Sequence, residues 1–184
     1  MTVFVALLRA VNVGGTGKLP MTELRAICQS AGFANVRTYI ASGNVVLKSG
    51  EGEAAVKARL ESALAAFAGR PVGVLVRTAQ EMAMVLAANP FAEAPPNRTV
   101  AIFLDHPPPA DALAAATGRR DEQMALGARE IYVSYGEAMA ASKLRIPAAR
   151  AGTARNINTI AKLAEWATAC STGRDGRVKG GHPP

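Results

Sequence analysis

Residues 3–32 read VFVALLRAVNVGGTGKLPMTELRAICQSAG, and the order of patterns inside them decides the fold class. Val3 to Val11 is an apolar run broken only by Arg9, and its β-branched and aromatic start favours a buried strand. Glycines follow at 14, 15 and 17. Pro20 then stands where a first helical turn begins, a place that tolerates its missing N–H. Met21, Leu24, Ile27, Cys28 and Ala31 fall on one helical face, and Gly32 supplies a stop. The stretch is strand, glycine-rich loop, helix.

Outward from it, Val36 to Ile40 and Asn44 to Lys48 read as two strands turning at Ser42-Gly43. A helix is expected over Glu53 to Ala68, with Val56, Leu60, Leu64 and Phe67 as its buried stripe. Val72 to Arg77 is a further strand. The order β-α-β-β-α-β is the split βαβ, or ferredoxin-like, pattern. A short helix over Gln80 to Ala88 and a Pro- and Ala-rich connector over Asn89 to Asn97 come next.

The pattern then partly recurs. Thr99 to Leu104 is a strand, Ala110 to Thr117 a short helix, and Gln123 to Leu126 with Glu130 to Tyr135 a second hairpin turning at Gly127-Ala128. Helical stretches are expected over Glu137 to Arg145 and Asn158 to Ala169, the last helix replacing a final strand. The expected fold class is α+β, two related ferredoxin-like halves packed together with the second degenerate. The divisions are an N-terminal βαββαβ subdomain (1–78), a connecting helix and linker (79–98), a C-terminal α+β subdomain (99–170) and a mobile basic tail (171–184).

Composition narrows the function classes. The net charge of +7 favours polyanionic or phosphate-bearing partners, although colloidal solubility accounts for it as well. From Ala138 to Ala164 the chain carries Lys143, Arg145, Arg150, Arg155 and Lys162 and no acid. Aromatics are only 5% of residues, which argues against an RNA-recognition stacking platform. Cys28 and Cys170 give neither a disulfide framework nor a metal knuckle. No signal peptide and no apolar run of membrane-spanning length are evident, so a cytoplasmic protein with no membrane partner is expected.

Asn12-Val13-Gly14-Gly15-Thr16-Gly17-Lys18 lies where phosphate-binding loops often occur, between a strand and a helix N-terminus. It fails the Walker A pattern, since Asn12 opens it and Leu19 replaces the magnesium-binding hydroxyl. It fails the dinucleotide pattern because Pro20 takes the third glycine position. A plain glycine-rich turn with Lys18 solvated explains it equally well. Arg9, a charge at the end of an apolar run, points more toward a polar site. His106 and His182 are the only histidines and pair with nothing, so zinc, iron and serine-hydrolase chemistry are all disfavoured. No cofactor is implied, and no catalytic constellation is recognisable.

LLRAVNVGGTGKLPMTEL, followed by GF-x-x-V-R-T-Y-I-A-S-G-N-V-V-L, resembles the opening of the bacterial domain-of-unknown-function family 1697. Ser142-Lys143-Leu144 and Thr153-Ala154-Arg155-Asn156-Ile157-Asn158-Thr159, with Lys162-Leu163, resemble that family's other signature. The resemblance spans residues 2 to 168 and implies a cytosolic α+β fold of related halves, with no established activity. Arg9, Asn12, Gly14, Gly15 and Lys18 match its loop; Ser42, Gly43 and Asn44 its hairpin; Arg155, Asn156, Asn158 and Thr159 its C-terminal motif. Ile157 stands where the family usually carries Trp, and Ala41 where Gln is usual, which weakens any stacking role there.

The candidate ligand-binding set is Arg9, Asn12, Gly14, Gly15, Lys18, Ser42, Asn44, Lys143, Arg155, Asn156 and Asn158. If the three segments converge on one cleft, Arg155 would grip an oxyanion bidentately and Lys18 would add a point charge. Capping is the competing account of the asparagines: Asn156 or Asn158 would cap the last helix. The function expected is a non-catalytic binding protein for a phosphate-bearing ligand, nucleic acid or nucleotide. The alternatives are an enzyme acting on a phosphorylated small molecule and a protein-interaction module with a basic face.

Overall fold

The computed structural model describes residues 1–11 and 18–173. Asn12, Gly14, Gly15 and most of the expected tail lie outside the described residues. The chain forms a mixed α+β structure with two four-stranded antiparallel sheets and, among the described residues, four α-helices.

The first half contains β1 (Thr2–Leu8), α1 (Met21–Ser30), β2 (Ala34–Tyr39), β3 (Asn44–Ser49), α2 (Glu53–Ala68) and β4 (Val74–Thr78). Its sheet runs β2-β3-β1-β4. β1 is central because it is apolar on both faces: Phe4, Ala6 and Leu8 pack under α1 and α2, while Val3, Val5 and Leu7 face the other way. It is shorter than the run Val3–Val11 suggests. Arg9 turns out of the sheet, its N–H donating to the Gly73 carbonyl at 2.8 Å, and Ala10 adopts a positive φ of 50°. In α2, Val56, Leu60 and Leu64 are buried as the periodicity predicts, but Phe67, in the last turn before the Gly69 cap, is 49% exposed.

The helix α3 (Ala79–Ala87) follows β4 directly, started by a capping box in which the Thr78 hydroxyl accepts from the Glu81 N–H and the Glu81 carboxylate accepts from the Thr78 N–H. The second half contains β5 (Thr99–Phe103), β6 (Gln123–Leu126), β7 (Glu130–Ser134), β8 (Thr153–Asn156) and α4 (Ile157–Ser171). Its sheet runs β6-β7-β5-β8, so the four strands of each half occupy the same spatial places. One face of each sheet shares a core with α3 and α4, where Val5, Leu7 and Val46 meet Phe103, Tyr132, Ile160 and Leu163. Burying each such aliphatic or aromatic side chain contributes about 1.5–3 kcal/mol.

Three expectations for this half are corrected. Residues 110–117 form turns rather than a helix: three prolines precede them, and among the first residues after those only Ala112 is buried, too little apolar surface to hold a helix. Glu137 to Arg145 contains a single 3-10 turn, Met139–Ala141, and no longer helix. The final strand is present as β8, with α4 following it rather than replacing it. The cover of the second sheet's outer face is thus irregular chain, from which Leu113, Tyr135, Leu144 and Ile146 pack on Val100, Ile131 and Val133.

Candidate functional site

Of the expected site residues, Arg9, Ser42, Asn44 and Arg155 lie at a buried joint and Lys143 on an exposed basic face. The joint forms where β1 ends. The Leu8 N–H donates to the Gly43 carbonyl at 2.9 Å, which brings the β2–β3 turn against β1. That approach requires glycine: Gly43 has φ 81°, and a Cβ there would stand 2.5 Å from Val11 Cγ2 and 2.9 Å from Leu8 Cβ. Asn44, the first residue of β3, is fully buried. Its amide N–H groups donate to the Tyr39 carbonyl and the Ser42 hydroxyl, both at 2.9 Å, and fix the turn.

Arg155, from β8 of the other half, enters this joint. Its Nε donates to Asn44 Oδ1 at 2.6 Å, and Nη1 donates to Thr153 Oγ1 and the Ala154 carbonyl at 2.7 and 2.8 Å. Nη2 donates to the carbonyls of Leu8 and Ser42 at 2.8 and 2.9 Å, with Gly43 more distant at 3.4 Å. A guanidinium carries five N–H groups, and each has an oxygen partner inside the chain. The bidentate grip on an oxyanion expected of Arg155 is occupied by main-chain carbonyls instead. Burial pushes its pKa down to about 10, which leaves it protonated at neutral pH.

Arg9 makes the reciprocal contact. It leaves β1 and donates from Nε to the Gly152 carbonyl at 3.2 Å and from Nη2 to the Arg150 carbonyl at 3.0 Å. A third bridge is Arg77 of β4, 1% exposed, whose Nη2 donates to the Leu104 and Arg129 carbonyls at 2.6 and 2.8 Å. Each half therefore sends arginine donors to carbonyls of the other. Arg77 was not singled out in the sequence, where it reads only as the polar end of a strand; no local pattern marks its buried partners.

Among the described residues of the candidate set, Ser42, Asn44 and Arg155 meet at this joint, with Arg9 next to Leu8 at its edge. Asn156 is the N-cap of α4, its Oδ1 accepting from the Thr159 N–H at 2.9 Å, so the capping account holds for it. Asn158 is exposed on the first turn of that helix. Lys18 is exposed at a cavity of about 240 Å³ between Val11, Leu19 and the end of α2. Lys143 is exposed on the cover of the second sheet.

Around Lys143 the chain builds something the sequence did not announce. Residues 117 and 145 form an isolated antiparallel bridge, each N–H donating to the other's carbonyl at 2.9 Å. Gly118 (φ 70°) crosses so close to this strand pair that a Cβ would collide with the Lys143 carbonyl oxygen. Glu122, 3% exposed, ties the two segments: one carboxylate oxygen accepts from the Arg120 N–H at 2.6 Å, the other from the Ser142 hydroxyl. The Ser142 hydroxyl bond, then the Arg120 N–H bond, hold the Glu122 carboxyl below its ordinary pKa. Arg119, Arg120, Lys143 and Arg145 are all exposed on this braced platform, and none of the four forms an ion pair among the described residues. Arg119 and Arg120 could have been found in the sequence as a basic pair following a glycine. Their pairing with residues 143–145 could not.

Fold and site together define an α+β protein of two antiparallel sheets, joined by arginine–carbonyl contacts and carrying a basic platform on the second sheet's cover. The chain belongs to the family described as Protein of unknown function (DUF1697), whose model matches residues 1–132. The solved structure of conserved bacterial protein SP0830 from Streptococcus pneumoniae shares the fold. It matches with a TM-score of 0.75 and 24% identity, covering 90% of this chain and 98% of that one. No curated protein matches the chain in sequence. No described helix is long and apolar enough to cross a membrane.

Proposed function

We propose that this is a non-catalytic binding protein for a phosphate-bearing partner, which it meets through the exposed platform of Arg119, Arg120, Lys143 and Arg145. The observation that carries the reading is the bridge between Thr117 and Arg145, which gathers basic residues from two distant stretches of chain onto one braced surface. Arginine suits the task, since its planar fork meets phosphate oxygens in pairs where an ammonium acts as a point charge. The joint at Arg155 is then a structural element that holds the two halves in register. The same reading takes the halves as related ferredoxin-like units, from the common strand order, and the protein as cytoplasmic.

The experiment is retention of mixed nucleic acid by the full chain at increasing salt, beside the variant Lys143→Glu/Arg145→Glu. Binding that weakens steeply with salt and is lost in the variant supports the proposal, because phosphate contacts release counterions. Retention that is undetectable, or equal in the variant, overturns it.

A further inference from the structure

We infer that the partner of the basic platform is a nucleic-acid duplex, held by its phosphates with its bases unread. This rests on the phosphate-binding reading above and adds to it the partner's class and the manner of contact.

A protein partner fits the platform poorly. Protein interfaces draw their affinity from apolar and aromatic anchors seated in dry pockets. The exposed large apolar side chains among the described residues are Met1, Ile40, Phe67, Met84 and Leu126. None belongs to the segments 105–122 or 135–152 that build the platform; Leu126 lies at the far end of β6. What those segments offer outward is charge: Arg119, Arg120, Lys143, Arg145 and Arg150, together with the exposed acids Asp105, Asp111, Asp121 and Glu137.

A single strand fits poorly as well. Proteins that hold single strands stack successive bases on exposed rings. In this half Phe103 and Tyr132 are buried, and Tyr135 packs against the second sheet's outer core. The exposed large apolar side chains among the described residues include no tyrosine or tryptophan.

A duplex asks for neither anchor nor ring. It presents a stiff lattice of phosphates, one charge per about 1.7 Å of axis, and a fixed array of donors matches a fixed array of acceptors at low entropic cost. The platform is fixed at three points: the Thr117–Arg145 bridge, the close pass of Gly118 under Lys143, and the Glu122 carboxylate between Arg120 and Ser142. Arg119 is further steadied by its Nε, which donates to the Glu122 carbonyl at 2.8 Å. Of the two acids within residues 117–122, Glu122 is buried in that brace, while Asp121 is exposed, its carboxylate lying beside Gly136.

The test is fluorescence anisotropy of the full chain with three labelled probes: a short mixed-sequence DNA duplex, either of its single strands, and a polyglutamate peptide. The expected order is duplex tightest, with affinity indifferent to its sequence. Engaging four phosphates gives a log–log salt slope of about −3.6, a loss on the order of 100-fold between 50 and 200 mM salt. Replacing Lys143 by Gln should lower that slope by about 0.9 for every duplex alike. The quadruple variant Arg119→Gln/Arg120→Gln/Lys143→Gln/Arg145→Gln should bind no duplex, although Arg174, Arg177 and Lys179 remain. Circular dichroism of both variants shows whether they are folded, and the single variant, altered only at one exposed side chain, reports if the quadruple one is not. Preference for a single strand or equal binding of polyglutamate overturns the inference while leaving a polyanion binder; full affinity in the folded quadruple variant overturns the platform, and with it the proposed function. Failure to bind any probe overturns the proposed function itself.

Discussion

Replacing Arg155 by Met tests whether the joint holds the halves together. The change keeps an unbranched stem of similar reach and removes the guanidinium. Left behind are the Leu8 and Ser42 carbonyls and Asn44 Oδ1, oxygens that Arg155 now reaches at 2.6–2.9 Å. An unsatisfied buried acceptor costs about 1–3 kcal/mol. Against this stands the relief of no longer burying a charge, so the three losses do not sum. A hydrogen bond to a charged group contributes about 1.5–3 kcal/mol. Taking about 3 kcal/mol for the clamp as a whole, a chain of this size loses roughly 6–12 °C in Tm. Calorimetry and circular dichroism read the shift, provided the transition remains a single step. Arg155→Lys should fall nearly as far, because one ammonium cannot reproduce donors directed at both sheets. A Tm within about 2 °C of wild type, well short of the shift a lost clamp requires, would refute the reasoning. Loss of duplex binding at unchanged stability would refute it differently, by making Arg155 a ligand contact.

The brace and the turn make their own predictions. Simple charge counting says Glu122→Gln should tighten polyanion binding, since it removes a negative charge; the brace says it weakens binding, by about 2- to 30-fold, because Gln has one acceptor oxygen where two donors arrive. Anisotropy decides between the signs. The same carboxyl titrates below its ordinary pKa in the folded chain, so its contribution is fully present above the unfolded pKa and disappears as pH falls through the folded one. Hydrogen exchange of residues 117–122 and 142–145 should quicken over that acidic window in wild type and show no such step in Glu122→Gln. At the other end of the molecule, Gly43→Ala places a Cβ against Val11 and Leu8 in a left-handed conformation. It should cost about 1–3 kcal/mol, read as a lowered Tm, whereas Gly50→Ala, with open space around it, should change Tm little.

The first half was legible because its local and tertiary signals agree. The unbroken apolar run of β1, Pro20 and the Gly32 stop sit where the elements begin and end. The second half was not, because propensity and packing disagree there. Residues 110–117 are rich in alanine, yet they follow prolines and bury little, so they coil over the sheet instead. β8 is four residues long, polar, and buried only at Arg155, which leaves no apolar alternation to read. Missing that strand also hid the partner of Arg155. The convergence of Arg9, Ser42, Asn44 and Arg155 was legible as a polar set; what they bind depends on where β8 docks, and no local spacing encodes that.

The division of the arginines explains why a glycine-flanked, arginine-bearing motif need not mark a ligand. Strand ends and turns present carbonyls with lone pairs to spare, and several of them face the other half where the two meet. They need donors, and the guanidinium supplies several in one plane. Arg9, Arg77 and Arg155 serve this purpose in both directions across the joint. Exposed arginines differ in resting on a supported main chain: it is hydrogen-bonded beneath Arg119, Arg120 and Arg145, and apart from Arg119 Nε, which donates to the Glu122 carbonyl, their side chains are left to the surface. Net charge counts both kinds alike, but only the second can meet a partner's phosphates, so the face that binds should be sought on the second sheet's cover and not at the most recognisable motif.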